Sequence, residues 1–163
     1  MATAHPKINR RGYIEPYEAV PVSLKDVRQQ FVEAFSNSNS RKILFDGYKK
    51  FCEDLKLVVG SHQQWIDGSF VTSKKNPNDI DILCFVPTTK LRPNERSVLN
   101  LLESSKELYG VDAYVIEVLD SNDSQHKIYE HNKVYWLNQF TKTKKMGHRK
   151  VQYDKGFLQL WIG

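Results

Sequence analysis

Cysteine is scarce in this chain: Cys52 and Cys84 are the only two among 163 residues. Both lie inside apolar patterns and lack metal-ligand spacing, which argues against a disulfide framework and for buried free thiols in a reducing compartment. Long apolar runs are missing as well, since none approaches the roughly 20 residues that a bilayer-spanning helix needs. The first residues, Met1 to Pro6, have no apolar core of the kind a secretory signal carries, so a cytoplasmic location and no membrane partner are expected. His62, His131 and His148 share no ligand spacing, and no internal repeat is visible.

What remains is the composition of one globular domain, long enough to bury a core. The formal charge is +5, with basic residues gathered at Lys7-Ile8-Asn9-Arg10-Arg11 and between Lys142 and Lys150. Such clusters favour polyanionic partners, nucleotides and nucleic acids among them. A solvated basic surface is the plainer account of either cluster taken alone.

Residues 1–22 carry Gly12, Pro16 and Pro21 without periodicity and read as an extended arm lying on a domain of residues 23–163. Ser23 and Asp26 have capping-box spacing ahead of a short helix ending near Phe35, and a polar break follows at Ser36 to Ser40. From Arg41, the apolar positions Leu44, Tyr48, Phe51, Cys52, Leu55 and Val58 predict an amphipathic helix, slightly weakened by Gly47. A strand over Gln64 to Asp67 leads through a loop, Phe70 to Asn78, into a second strand, Asp79 to Val86, buried on both faces beyond its carboxylates. Pro87 and Pro93 bracket a loop; Asn94 to Tyr109 reads as a helix with Val98, Leu101, Leu102 and Leu108 inward and Gly110 at its end. A third strand spans Val111 to Val118, a helix contains Tyr129, Val134, Tyr135, Trp136 and Phe140, and Gly156 to Trp161 closes the chain as a short strand or tail. The fold class is α+β with an α/β core, a mixed sheet with helices packed on it.

The chemistry concentrates where the first two strands meet. Gly68-Ser69 ends one apolar run, and Asp79-Ile80-Asp81 opens the next. Residues two apart on a strand project from the same face, so Asp79 and Asp81 stand together. Side-by-side carboxylates repel, and a cation between them is the simplest reason to keep both. The helix between the second and third strands makes those strands parallel, which starts both at one edge and brings Asp112 beside Asp79 and Asp81. Antiparallel pairing of the first two strands delivers Gly68-Ser69 to the same edge. Glu117 is the rival third carboxylate, of opposite parity and farther along its strand, and Trp65 and Trp136 read as core aromatics in preference to base-stacking platforms.

The pattern Gly68-Ser69, nine intervening residues, Asp79-Ile80-Asp81 and then Val111-Asp112-Ala113 resembles the nucleotidyltransferase superfamily of the DNA polymerase beta type, over roughly residues 64–118. The phrases Arg11-Gly12-Tyr13, Trp65 to Thr72, Pro77 to Ile82 and Lys155-Gly156 resemble a family of short, largely uncharacterised bacterial proteins related to these enzymes. The resemblance implies transfer of a nucleoside monophosphate from a nucleoside triphosphate to a hydroxyl of a protein, an RNA or a small molecule. It implies Mg2+ or Mn2+ held by Asp79, Asp81 and Asp112, with Gly68 and Ser69 at a phosphate and Lys74 or Lys75 reaching the triphosphate. Larger members carry a helical domain for the nucleobase and acceptor, and the segment after Val118 is too short for one. That departure implies loose base selectivity or a protein partner that completes the site. Two further readings stand beside it: a non-catalytic binding module on the same fold, such as one member of a toxin-antitoxin pair, and a nucleic-acid binder using residues 142–150.

Overall fold

The computed structural model describes residues 5–163; the first four residues of the predicted arm lie outside them. Five strands form one mixed sheet in the order β3-β7-β4-β5-β6, comprising Ala19–Pro21 (β3), Phe157–Ile162 (β7), His62–Asp67 (β4), Ile80–Pro87 (β5) and Val111–Val118 (β6). β4 runs antiparallel to both β5 and β7, whereas β5 and β6 are parallel, as are β3 and β7. Lys7–Ile8 (β1) and Ile14–Glu15 (β2) form a separate antiparallel ribbon.

One face of the sheet is covered by Leu24–Phe31 (α1), Arg41–Val59 (α2) and Glu95–Tyr109 (α4). Val27, Phe31, Tyr48, Phe51, Leu55 and Val98 from these helices cluster with Ile66, Ile80, Ile82, Cys84 and Val111 of the strands. The opposite face packs a smaller group, Trp65, Leu83, Phe85, Ile116 and Phe157, against Phe140 of His126–Phe140 (α5). The alternation along β5 explains the split, because even-numbered residues face the large core and odd-numbered ones face α5. Asp81 belongs to the odd set.

Local signals act as expected at several boundaries. The Ser23 hydroxyl accepts from the Asp26 backbone N–H at 3.2 Å, and the Asp26 carboxylate accepts from the Ser23 N–H at 2.8 Å, a complete capping box. Gly110 ends α4 in the left-handed region, φ 68°. Gly47 has a reason to be glycine, since a Cβ there would overlap the Tyr109 carbonyl where α2 crosses the end of α4.

Other expectations are corrected. The arm is not merely laid on the domain, because Ala19–Pro21 is an edge strand of the sheet. Of the two readings of the closing segment the strand holds, and β7 sits between β3 and β4 inside the sheet rather than at its margin. The proline-bracketed loop is helical, with Thr88–Leu91 (α3) and a 3-10 turn at Arg92–Asn94, because Pro93 lies in a first turn where a missing N–H costs nothing. Leu108 points outward, 67 % exposed, because the buried stripe of α4 passes through Ser105 and Tyr109 instead.

Candidate active site

Strand register sets three carboxylates in a row. Asp67 is the pairing partner of Asp81 across β4 and β5, and Asp81 is the partner of Asp112 across β5 and β6. Directly paired residues share a face, so all three project toward the α5 side, and Asp79 joins them two residues before Asp81. The row forms the floor of a cleft of about 1020 Å³ between the sheet edge, α5, the 142–152 loop and the tip of the N-terminal ribbon.

The four carboxylates have different surroundings. Asp67 is buried and ion-paired with Lys155, whose Nζ also donates to the Phe140 carbonyl at 3.0 Å. Burial pushes the Asp67 carboxyl up, against the downward pull of Lys155 and the Gly68 N–H. Asp79 pairs with Lys106 at 3.0 Å, and Lys106 stands 3.9 Å from Asp112 Oδ2. Asp112 also accepts a long hydrogen bond, 3.5 Å, from the Tyr114 hydroxyl. Asp81 has no side-chain hydrogen bond or ion pair among the described residues, and burial together with the charges of Asp79, Asp67 and Asp112 pushes it up to about 6.

The turn after β4 is built for close approach. Gly68 has φ 80°, open to glycine at little cost, and a Cβ there would overlap Asp81 Oδ2. The loop that follows is fastened by Arg41, a fully buried residue at the start of α2. Its Nη1 donates to the carbonyls of Phe31 (2.8 Å) and Phe70 (2.6 Å), and its Nη2 to those of Thr72 (2.8 Å) and Lys74 (2.6 Å). Burial lowers its pKa to about 10, so it stays charged at neutral pH, and its guanidinium lies 3.7 Å from the Phe35 ring centroid.

The structure therefore brings Asp79, Asp81, Asp112, Gly68, Ser69 and Lys74 to one cleft and leaves Lys75 outside its lining. Glu117 is at the far end of β6, bound by Thr88 and by Arg92 at 2.7 Å. Trp65 is a core residue, as expected, and Trp136 packs half-buried against the same cluster while also lining the cleft. Asp67, Lys106 and Lys155 went unassigned. Asp67 was legible in principle, since pairing Gly68-Ser69 back onto Asp79-Ile80-Asp81 puts it opposite Asp81. Lys106 carried a weaker signal, the last turn of a helix feeding the strand that holds Asp112.

Side-chain chemistry suits a hard divalent cation, with carboxylate oxygens and an Asp81 group that lacks a partner. As placed, Lys106 spans Asp79 and Asp112, and among the described residues no three His, Cys, Asp or Glu side chains are gathered closely enough to hold an ion.

Fold and site together define a single-domain α+β protein with a carboxylate-floored, lysine-rimmed cleft at one end of its sheet. The chain belongs to a family of unknown function (DUF6932), whose model matches residues 6–161. No curated protein and no solved structure matches it. Among the described residues, no helix is long and apolar enough to cross a membrane.

Proposed function

We propose that the protein is a nucleotidyltransferase dependent on Mg2+ or Mn2+, moving a nucleoside monophosphate from a nucleoside triphosphate to a hydroxyl of an acceptor. The observation that carries this reading is the in-register row Asp67, Asp81 and Asp112, with Asp79 added and the Gly68-Ser69 turn beside it. In the reaction the acceptor oxygen attacks the α-phosphorus, the bond to the pyrophosphate oxygen breaks, and pyrophosphate leaves with that electron pair. On this reading Asp112 takes the hydroxyl proton. Ser69 donates to a phosphate oxygen, and Lys74 offsets charge on the triphosphate. Asp79, Asp81 and Asp112 would hold the divalent ions, which neutralise the transferring phosphate and acidify the attacking hydroxyl. Lys155 neutralises Asp67, so the open negative charge of the row stays on the other three.

The test is thermal unfolding with each of the four nucleoside triphosphates and Mg2+. A rise in Tm with at least one, lost in the Asp79→Asn, Asp81→Asn double variant, is the expected result; no rise with any of them overturns the reading. A binding module without catalysis is the second reading, favoured by Lys106 already standing between Asp79 and Asp112. It is supported if a partner protein binds equally well with and without the two substitutions and no labelled nucleotide is transferred.

A further inference from the structure

The two sides of the carboxylate row differ in chemistry. On the β4 side lie the Gly68-Ser69 turn and Lys74. On the β6 side lie Tyr114, projecting from the edge strand, and Tyr135 and Trp136 on α5. Trp136 is held by aromatic neighbours: Tyr114 with ring centroids 4.8 Å apart, Phe140 edge-on at 5.7 Å, and Tyr135 edge-on at 5.6 Å with 79° between the planes. Tyr135 and Trp136 thus form a corner open to the cleft, with Tyr135 54 % exposed. On α5 only Phe140 is fully buried; Trp136 packs half-buried against the same cluster, while Tyr135 stays outside it.

We propose that this corner is a stacking subsite for the unpaired terminal base of a single-stranded nucleic acid. Its role as the acceptor side rests on the transfer reading, which puts the triphosphate at Gly68-Ser69 and the attacking hydroxyl at Asp112. Three observations select a nucleic acid over a peptide ring. The rings stand beside a cleft that Lys144 also lines, next to Lys142, which is paired with Asp154 at 2.7 Å, and the loop continues through Lys145, Arg149 and Lys150, all exposed. The chain carries a formal charge of +5. The cleft, at about 1020 Å³, has room for a strand end beside a nucleotide, being at the top of the roughly 300–1,000 Å³ range of single small-ligand pockets. Aromatic stacking with a cationic track is the general means of gripping a single strand.

Binding is measured on the full chain by fluorescence anisotropy of labelled single-stranded RNA, single-stranded DNA and blunt duplex RNA, with neither nucleotide nor metal present. Single strands are expected to bind with affinity that falls with salt, and duplex more weakly. Tyr135→Ala and Trp136→Leu should each weaken binding at least about fivefold, with Trp136→Phe restoring most of it. Equal RNA and DNA affinities would assign recognition to base and phosphate; a preference for RNA would add the 2′-hydroxyl. With Trp161→Phe removing the most exposed indole, 68 % exposed, quenching of the remaining fluorescence reports Trp136, because Trp65 is buried. Affinity indifferent to both ring substitutions, duplex binding as tight as single-strand binding, or a tyrosine peptide binding the corner in place of RNA would overturn the proposal. Strand binding without a triphosphate-dependent Tm rise would leave the subsite standing and remove the transfer reading. The reverse result would remove the subsite alone.

Discussion

Asp67 and Lys155 form a buried ion pair between the end of β4 and the residue two before β7, and Lys155 also holds the last carbonyl of α5. One ammonium thus joins the sheet, α5 and the far end of the basic loop. Lys155→Met leaves a buried carboxylate without its partner, and a loss of about 3–5 kcal/mol in denaturant unfolding is expected. Burial already raises the Asp67 carboxyl, and removing the ammonium raises it further. A raised folded-state pKa gives stability present below the unfolded value and lost as pH rises, so the deficit should be smaller at pH 5 than at pH 8. Adding Asp67→Asn should recover part of it. A loss of the same size at both pH values would show that packing, not charge, is what Lys155 supplies.

Asp81 should make the wild-type protein less stable as pH rises from 4 to 7. Its carboxyl is raised from 3.8 to about 6, so folding favours the protonated form; that contribution is complete below 3.8 and is lost through about 6. The gap corresponds to roughly 3 kcal/mol as an upper figure. Asp81→Asn removes the ionisation, so the variant should gain on the wild type by about 2 kcal/mol between pH 4 and pH 7, measured by denaturant unfolding at each pH. Millimolar Mg2+ should stabilise the wild type above pH 6 and leave Asp81→Asn unmoved. A flat difference across the pH range would mean that Asp81 is solvated rather than crowded.

Much of this edge was legible because its signals are local or follow from one topological step. The Ser23 and Asp26 cap, the stripe of α2 and the glycine ending α4 depend on neighbours within a turn or two. Asp112 followed from the parallel crossover, which needs only a helix between two strands. The misses depend on partners distant in sequence. Lys155 meets Asp67 across 88 positions, and Ala19–Pro21 becomes a strand only because Phe157 to Gln159 lies alongside. Trp136 does pack against the smaller core, but that it also faces the cleft depends on α5 covering only part of its sheet face. The clamp by Arg41 left no trace in periodicity, because its four acceptors are backbone carbonyls.

Gly68 and Gly60 separate backbone strain from crowding. Both have positive φ, 80° and 77°, but a Cβ at Gly60 meets nothing within 4 Å, while one at Gly68 overlaps Asp81 Oδ2. Gly60→Ala should cost about 1–3 kcal/mol, the backbone penalty alone, because ψ −161° with that φ is a conformation reserved for glycine. Gly68→Ala should cost at least about 1–3 kcal/mol more, as overpacking does, and should displace the Asp81 carboxylate. Unfolding curves give the stabilities, and the triphosphate-dependent Tm shift reports the displacement. Equal costs at the two positions would mean that Asp81 moves aside freely.

Lys106 competes for the carboxylates that a divalent ion would use. Its Nζ stands 3.0 Å from Asp79 and 3.9 Å from Asp112, and these two groups, with Asp81, raise its pKa, the Asp79 hydrogen bond most. The lysine is exposed, so water and salt screen both pairings and each is weak. An ion entering the row must displace that ammonium. Lys106→Gln keeps most of the length of the side chain and removes the charge, so Mn2+ should bind about two- to fivefold more tightly. Titration followed by the electron paramagnetic resonance of free Mn2+ measures this directly, with Asp81→Asn as the variant expected to lose binding. Weaker Mn2+ binding in Lys106→Gln would give the lysine the opposite role, drawing Asp79 and Asp112 together so that the ion finds both.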